Sequence, residues 1–209
     1  FMELAGGFSI SYIIFGYSFF DSTILAFVFA VAVNAYNMVD GLDGICAGNT
    51  IIFAIFAFIA GFSPDISLAI AGAFAGYLMY NFPPAKIFMG DQGSYLAGTF
   101  VGLLLIQSWE SQNFVRIAAF CWPVVLDLFI GFARRSLAGK SPLKGDRDHY
   151  YDKIFAITGK KKRATFFITS SIALFYALVG FLLPVTAIPF VLMASSVVQV
   201  FLLKSLRST

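Results

Sequence analysis

The sequence has little charge for its length and very little histidine or cysteine. Only 12% of its 209 residues are charged, against about 25% in a typical soluble domain. It contains one histidine, His149, and two cysteines, Cys46 and Cys121, that form no CxxC pair. This excludes the usual Cys/His zinc spacings, and both cysteines are interpreted as packing residues. A single soluble core is also excluded, because a domain of this size cannot bury so much phenylalanine and leucine.

The sequence is rich instead in apolar runs that approach the length of a membrane helix, which is about 20 residues. These runs lie at about 22–39, 48–63, 66–82, 94–109, 114–133, 165–183 and 185–203. The last is interrupted near its start by Pro189, and residues 8–20 are too short for a span, which leaves a short helix or a hairpin there. We therefore predict an all-α, polytopic transmembrane helix bundle of about seven helices, with residues 1–209 as one membrane domain.

The basic residues lie almost entirely in the loops on one side of these predicted helices. The loops at about 40–47, 83–93 and 134–164, together with the C-terminus, hold 13 of the 14 lysines and arginines, and only Arg116 falls on the other side. Loops rich in lysine and arginine stay on the cytoplasmic side of a membrane. We therefore expect a multi-pass protein of the inner (cytoplasmic) membrane whose chemistry takes place at the cytoplasmic face.

The first of these loops places acids and amides at the end of an apolar run, in the segment NAYNMVDGLDG. Asn37, Asp40 and Asp43 recur every three residues, a spacing that keeps side chains on one face of a helix end. Carboxylate and amide oxygens suit Mg²⁺, which also binds substrate phosphates. A solvated helix end capped by aspartate would explain one acid. Two acids and an amide beside a membrane favour a functional site.

The second loop, NFPPAKIFMGDQGS, joins a helix end to an aspartate flanked by glycines. Its two prolines end one helix, and the next is predicted to begin near Ser94. A helix N-terminus preceded by glycines can bind an anion. Asp91 is therefore either a metal ligand or an ordinary N-cap, and Phe88 either dips into the membrane interface or stacks on a base.

The third loop is the longest and the most basic. Arg147 suits a bidentate phosphate contact, and His149 can donate to a phosphate or titrate near neutral pH. The basic run at 160–163 is interpreted as binding anionic lipid or fixing topology, with no catalytic role. Asp127 lies inside the preceding apolar run. It is either a functional carboxylate or a hydrogen-bond partner of a neighbouring helix.

Four segments of the chain resemble, in the same order, the motifs of the polyprenyl-phosphate N-acetylhexosamine-1-phosphate transferases. They are NAYNMVDGLDG, FMGDQGS, PVVLD and SPLKGDRDH. The WecA/TagO-like branch fits better than the MraY translocases, which carry a run of histidines in the last loop. The resemblance implies a phosphoglycosyltransferase that uses Mg²⁺, or alternatively Mn²⁺. It would transfer a sugar-1-phosphate from a UDP-N-acetylhexosamine to polyprenyl (undecaprenyl) phosphate, release UMP, and form the lipid-diphosphate sugar that starts a cell-envelope glycan, such as the cell wall or O-antigen. The bilayer is a further expected partner, nucleic acid is not, and a homodimer is left open.

The resemblance also implies roles for individual residues. The expected metal ligands are Asp91 and, assisting it, Asn37. The expected catalytic acids, which handle the nucleotide sugar and proton transfer, are Asp40, Asp43 and Asp91. The expected substrate-binding residues are Asn81 and Phe88 for uridine, and Arg147 and His149 for the diphosphate. For residues 8–20, the resemblance favours an outward-facing hairpin over a helix.

Two departures from the family pattern qualify this interpretation. The family's DDxxD motif is absent, since no Asp-Asp pair occurs in the chain. The motif lies upstream in a longer protein or has been lost, and the chain alone is expected to be inactive. Where relatives read H-x-H-H, this chain reads HYYD.

The alternative function is an ion or solute transporter that uses the membrane-proximal aspartates as a path. It is disfavoured because these acids lie mostly in loops and the motifs show no internal repeat.

Overall fold

The computed structural model describes residues 2–141 and 148–205, without the side chains of 202–205. Within these residues the chain forms nine α-helices and one π-helical segment, and no strand. The α-helices are α1 Met2–Ser9, α2 Phe19–Val39, α3 Ile45–Ile59, α4 Pro64–Asn81, α5 Gly90–Gln107, α6 Asn113–Leu137, α7 Tyr150–Ile157, α8 Lys162–Leu182 and α9 Ile188–Ser205. The π-helical segment, Ile10–Ile14, follows α1. The predicted all-α bundle is confirmed.

Three of the described helices, α2, α6 and α8, are long and apolar enough to cross a membrane, judged by length and composition. Three shorter helical stretches are also apolar: Met2–Ile14, Ile45–Ile59 and Ile188–Phe201. The predicted run at 185–203 forms α9, which begins at Ile188. Pro189 therefore lies in the first turn, where a proline removes no helical hydrogen bond, and it does not interrupt the helix.

The hairpin expected at 8–20 is not formed. Helix α1 and the π-helical segment run together to Ile14, a turn follows, and α2 begins at Phe19. The buried hydroxyl of Ser11 finds its hydrogen-bond acceptor within the same helical segment, because it donates to the Gly7 carbonyl at 2.8 Å. The segment can therefore pack against α2 as a helix, with its apolar residues 12–15 exposed on the outside.

Other differences lie at the end of the bundle that carries the three basic loops. Helix α5 begins at Gly90 and not near Ser94, so Asp91 is in its first turn. Helix α6 continues to Leu137 and places two arginines in its last turn, where cations stabilise a helix C-terminus. The third loop contains the short helix α7, which starts after His149 with a capping box. In it the His149 N–H donates to Asp152 at 3.1 Å.

The packing of α2 against α5 sets the geometry of this end. Gly98 of α5 faces the backbone of α2, and a Cβ at this position would collide with Val33. The two helices therefore approach closely, with the end of α2 beside the start of α5. Elsewhere α3 packs on α4, and α6 packs on α8.

Helix α6 begins at the opposite end of the bundle. There Arg116, the one basic residue assigned to that side, donates to the carbonyl of Gly180 at 2.8 Å.

Candidate active site at the loop end of the bundle

The structure brings together the two residues predicted to bind a metal. Asn37, in the last turn of α2, donates from Nδ2 to Asp91 Oδ1 at 3.1 Å and to Ser94 Oγ at 3.0 Å. Asp91 is exposed in the first turn of α5. The Asn37 amide therefore orients the Asp91 carboxylate, although 54 residues separate them in sequence.

Asp40, which caps the C-terminus of α2, is the second acid of this site. Burial and the charge of Asp91 raise the pKa of Asp40 to about 6, against the opposing effect of a hydrogen bond from the Gly90 backbone. Two carboxylates that repel one another, one of them partly buried, are suited to sharing a divalent cation. The described residues include no group of three His, Cys, Asp or Glu side chains around such a position. Asp40 and Asp91 supply carboxylate oxygens, which Mg²⁺ binds together with waters and substrate phosphates, so these two residues fit that ion.

Asp43 has a different environment from Asp40. Its side chain is 6% exposed, and its Oδ2 accepts hydrogen bonds from the Ala85 N–H and from Lys162 Nζ, both at 2.9 Å. Burial raises the pKa of Asp43, but the hydrogen bond from Ala85 and the bond and charge of Lys162 outweigh it, so the net pKa is lowered. Asp43 is thus a stable carboxylate that joins the first loop to the second loop and to α8.

The two residues predicted to contact uridine have contrasting positions. Asn81 is buried, and both ends of its amide are used: Oδ1 accepts from the Gly44 N–H, and Nδ2 donates to the Ile87 carbonyl, each at 2.8 Å. Phe88, the next residue after Ile87, is 81% exposed. Asn81 therefore shapes the loop that carries Phe88, and Phe88 offers a free ring face.

These residues surround a cavity of about 310 Å³. Its lining consists of residues from the first two loops and the start of α5: Asp40, Gly41, Leu42, Asp43, Asn81, Phe88, Met89, Gly90 and Asp91. The lining thus includes three carboxylates, an exposed aromatic ring and the first residues of α5. This combination can accommodate a nucleoside diphosphate with a bound cation.

His149 lies in the third loop and is held by Asp127. His149 Nδ1 is 2.6 Å from Asp127 Oδ2, and Asp127 Oδ1 accepts the Tyr150 N–H at 2.8 Å. Asp127 is ten residues before the end of α6 and anchors the start of α7. Of the two interpretations of Asp127, the structure thus supports a hydrogen-bonding partner. Arg147, predicted to act beside His149, lies outside the described residues.

Comparison with known proteins places this arrangement in a family. The family model described as glycosyl transferase family 4 matches residues 2–109, slightly more than half of the chain. The chain belongs to glycosyl transferase family 4. Family membership and the apolar helices together indicate a membrane protein. The membership also supports a transferase over the transporter alternative.

Three curated proteins show how similar individual relatives are to this family 4 chain. It is 34% identical to the decaprenyl-phosphate N-acetylglucosaminephosphotransferase of Mycolicibacterium smegmatis over a 178-residue alignment that covers 71% of the chain and 44% of that protein. It is 31% identical to the phospho-N-acetylmuramoyl-pentapeptide-transferase of Oceanobacillus iheyensis, with 79% of the chain and 52% of the relative covered. A probable undecaprenyl-phosphate N-acetylglucosaminyl 1-phosphate transferase of Bacillus subtilis is 32% identical, with 74% and 44% covered. The chain spans about half the length of these curated relatives.

The HYYD segment of this family 4 chain has a structural use. The Tyr151 hydroxyl donates to the Met38 carbonyl at 2.9 Å, and the Tyr151 ring stacks on His149 at 5.3 Å between centroids. A Cβ at Gly41 would collide with the Tyr151 hydroxyl, so a larger residue there would displace the Tyr151 ring. Tyr151 thus ties the third loop to the first, and Asp152 caps α7.

Lys162 is a part of the site that the sequence pattern did not indicate. The basic run at 160–163 was interpreted as binding anionic lipid or fixing topology, whereas Lys162 forms an ion pair with Asp43. No spacing could have indicated this contact, since the two residues are 119 positions apart. The available signal was the second aspartate of DGLDG, a buried acid that required a cation from elsewhere in the chain.

Proposed function

We propose that the protein transfers N-acetylhexosamine-1-phosphate from a UDP-N-acetylhexosamine to polyprenyl phosphate. A phosphate oxygen of the lipid attacks the sugar-bearing phosphorus of the UDP-sugar, and the bond to the bridging oxygen breaks. UMP leaves with that oxygen, and a polyprenyl-diphosphate sugar is formed. The product would start a cell-envelope glycan such as the cell wall or O-antigen.

The observation that carries this proposal is the cavity between Asp40, Asp91 and Phe88. It combines paired carboxylates, a helix N-terminus and an exposed aromatic ring, which suit a cation, a diphosphate and a base respectively. The three relatives named above are transferases by name: two of the names contain a polyprenyl phosphate and N-acetylglucosamine, and the third contains phospho-N-acetylmuramoyl-pentapeptide. A transporter would have no need for the ring or for this helix start.

The residues divide the work according to their contacts. Asp91, oriented by Asn37, and Asp40 would hold Mg²⁺, or alternatively Mn²⁺. The ion would neutralise the diphosphate and stabilise the charge that develops on it. Phe88 would stack on uracil, since its ring is exposed beside the cavity. Arg147 and His149 are carried over from the family resemblance as contacts of the diphosphate; in the structure the His149 side chain is 5% exposed and is held by Asp127.

The proposed reaction takes place at the cytoplasmic face of the inner membrane. The three basic loops support this orientation, because their described parts meet at the end of the bundle that holds the cavity. The polyprenyl chain would remain in the bilayer while its phosphate reaches the cavity from the membrane surface.

The test is UMP exchange with the full-length natural protein in its membranes. We expect labelled UMP to enter UDP-N-acetylhexosamine only when a divalent cation and polyprenyl phosphate are present. The assay should include both UDP-N-acetylglucosamine and UDP-N-acetylgalactosamine as sugar donors. The proposal fails if the wild-type protein exchanges UMP with none of the common UDP-N-acetylhexosamines, or if exchange is independent of the lipid phosphate.

A further inference from the structure

The start of α8 contacts both loops that line the cavity. Lys162 Nζ lies 2.9 Å from Asp43 Oδ2 of the first loop. Arg163 Nε donates to the Pro83 carbonyl of the second loop at 2.9 Å, and its guanidinium lies 5.9 Å from the centroid of the Phe82 ring. Two consecutive cations therefore bind two loops that come from different parts of the chain.

We propose that Lys162 and Arg163 are positioning residues that fix the width of the nucleotide-sugar cavity. We call them the α8 clamp, together with their acceptors Asp43 and Pro83. The inference rests on the proposed function for the identity of the ligand, and on geometry alone for the clamp.

A short path of contacts leads from the clamp to the cavity wall. Asp43 Oδ2 accepts from Lys162 and from the Ala85 N–H together, so the lysine holds the carboxylate in the orientation that binds the second loop. Asn81 then fixes the Ile87 carbonyl, and Phe88 follows directly. The position of the Phe88 ring therefore depends on an acid that is buried and paired with a cation.

Removing the lysine leaves a buried carboxylate with only a backbone donor from the second loop. A buried charge without its partner is strongly unfavourable, so Asp43 would turn towards water and release Ala85. The Lys162 side chain is itself 45% exposed. Its removal opens no core cavity, and the expected effect is on loop position more than on packing.

The basic run supplies a matched control. Lys161 is exposed beside Lys162 and lines the shallow groove next to Pro83 and Pro84. Lys161→Met removes the same charge from the same membrane-facing run but leaves the contact with Asp43 intact. If the run acted only by attracting anionic lipid, Lys161→Met and Lys162→Met would have equal effects.

The test compares Lys162→Met, Lys162→Arg and Lys161→Met in the full-length protein, by steady-state transfer and by amide hydrogen exchange. We expect Lys162→Met to raise the KM for UDP-N-acetylhexosamine about tenfold, as for one lost charge-assisted hydrogen bond, with kcat and the KM for polyprenyl phosphate changed less than about twofold. Lys162→Arg keeps the positive charge, so its KM for UDP-N-acetylhexosamine should stay close to that of wild type. Lys161→Met should behave as wild type.

Hydrogen exchange in the peptide that contains Ala85 measures the clamp without any transfer activity. We expect faster exchange there in Lys162→Met than in wild type or Lys161→Met. If wild type shows no transfer but this exchange difference is present, the clamp stands and the proposed function fails. If exchange at Ala85 is the same in all variants, or if both methionine variants change only the KM for polyprenyl phosphate, the clamp is overturned.

Discussion

Replacement of Asp127 by alanine should destabilise the protein by about 3–5 kcal/mol, the range for removing one partner of a buried, hydrogen-bonded pair that contains a carboxylate. Asp127 accepts from His149 Nδ1 at 2.6 Å and from the Tyr150 N–H at 2.8 Å. The side chains of His149 and Asp127 are only 5% and 6% exposed. Alanine removes the acceptor of both bonds at the junction of α6 and α7.

The assay is thermal unfolding of the purified protein in detergent, without substrate. A change of 1 kcal/mol corresponds to a Tm shift of about 2–4 °C for a protein of this size, so Asp127→Ala should lower Tm by about 6–20 °C. Asp127→Asn keeps one carbonyl oxygen and should lose less, about 1.5–3 kcal/mol. Asp65→Asn, at an exposed acid in the first turn of α4, is the matched control and should leave Tm unchanged.

A double-mutant cycle with His149→Ala tests whether the two side chains act together. Because they are in direct contact, we expect the double variant to lose about 1–3 kcal/mol less than the sum of the single variants. A Tm for Asp127→Ala within about 1 °C of wild type would refute the reasoning of a buried pair. Full additivity of the two substitutions would show that the stability comes from other contacts of each residue.

Three further predictions concern the cavity and its supports. Phe88→Ala should raise the KM for the UDP-sugar about 5- to 150-fold, because base stacking on an aromatic ring contributes about 1–3 kcal/mol, while Tm is unchanged and Phe88→Tyr is near wild type. Because the pKa of Asp43 is lowered in the folded protein, ionised Asp43 stabilises the fold above about pH 4, and this stabilisation is lost as the pH falls through the lower folded-state pKa. Melting curves from pH 6 to pH 3 should show the loss. The loss should be smaller in Lys162→Met. Gly98→Ala should lower the free energy of unfolding by about 1–3 kcal/mol and lower the rate of sugar-phosphate transfer, because the added methyl meets Val33 and separates α2 from α5. An unchanged melting temperature and an unchanged transfer rate would contradict that close packing.

The sequence predicted the helices well where apolar runs were long and bounded by polar loops. Helices α2, α6 and α8 are long and apolar enough to cross a membrane, a property that composition reports directly. At 8–20 the residues left a short helix and a hairpin open, and the family resemblance favoured the hairpin, which the structure does not form. The apolar runs also gave no indication of α7, because its start depends on the cap formed by His149 and Asp152 and not on hydrophobic length.

Within the site, the sequence identified which side chains carry chemistry but not how they divide it. Asp40 and Asp43 were both expected to be catalytic acids, yet the charge of Asp91 raises the pKa of Asp40 whereas Asp43 is paired with Lys162. Asn81 was expected to contact substrate, and its amide proved to connect two loops; a direct contact with uridine stays a prediction. Such differences depend on contacts between distant segments, which local spacing cannot contain.

The most direct test of the account is cation binding by the full-length protein, measured by electron paramagnetic resonance during Mn²⁺ titration in the presence of UDP-sugar. We predict that wild type and Asp65→Asn bind the ion equally and that Asp91→Asn binds it at least about tenfold more weakly, since one of two carboxylates is lost. UMP exchange should fall in parallel. Wild-type affinity for Mn²⁺ and wild-type exchange in Asp91→Asn would contradict the assignment of this cavity as the metal and nucleotide-sugar site.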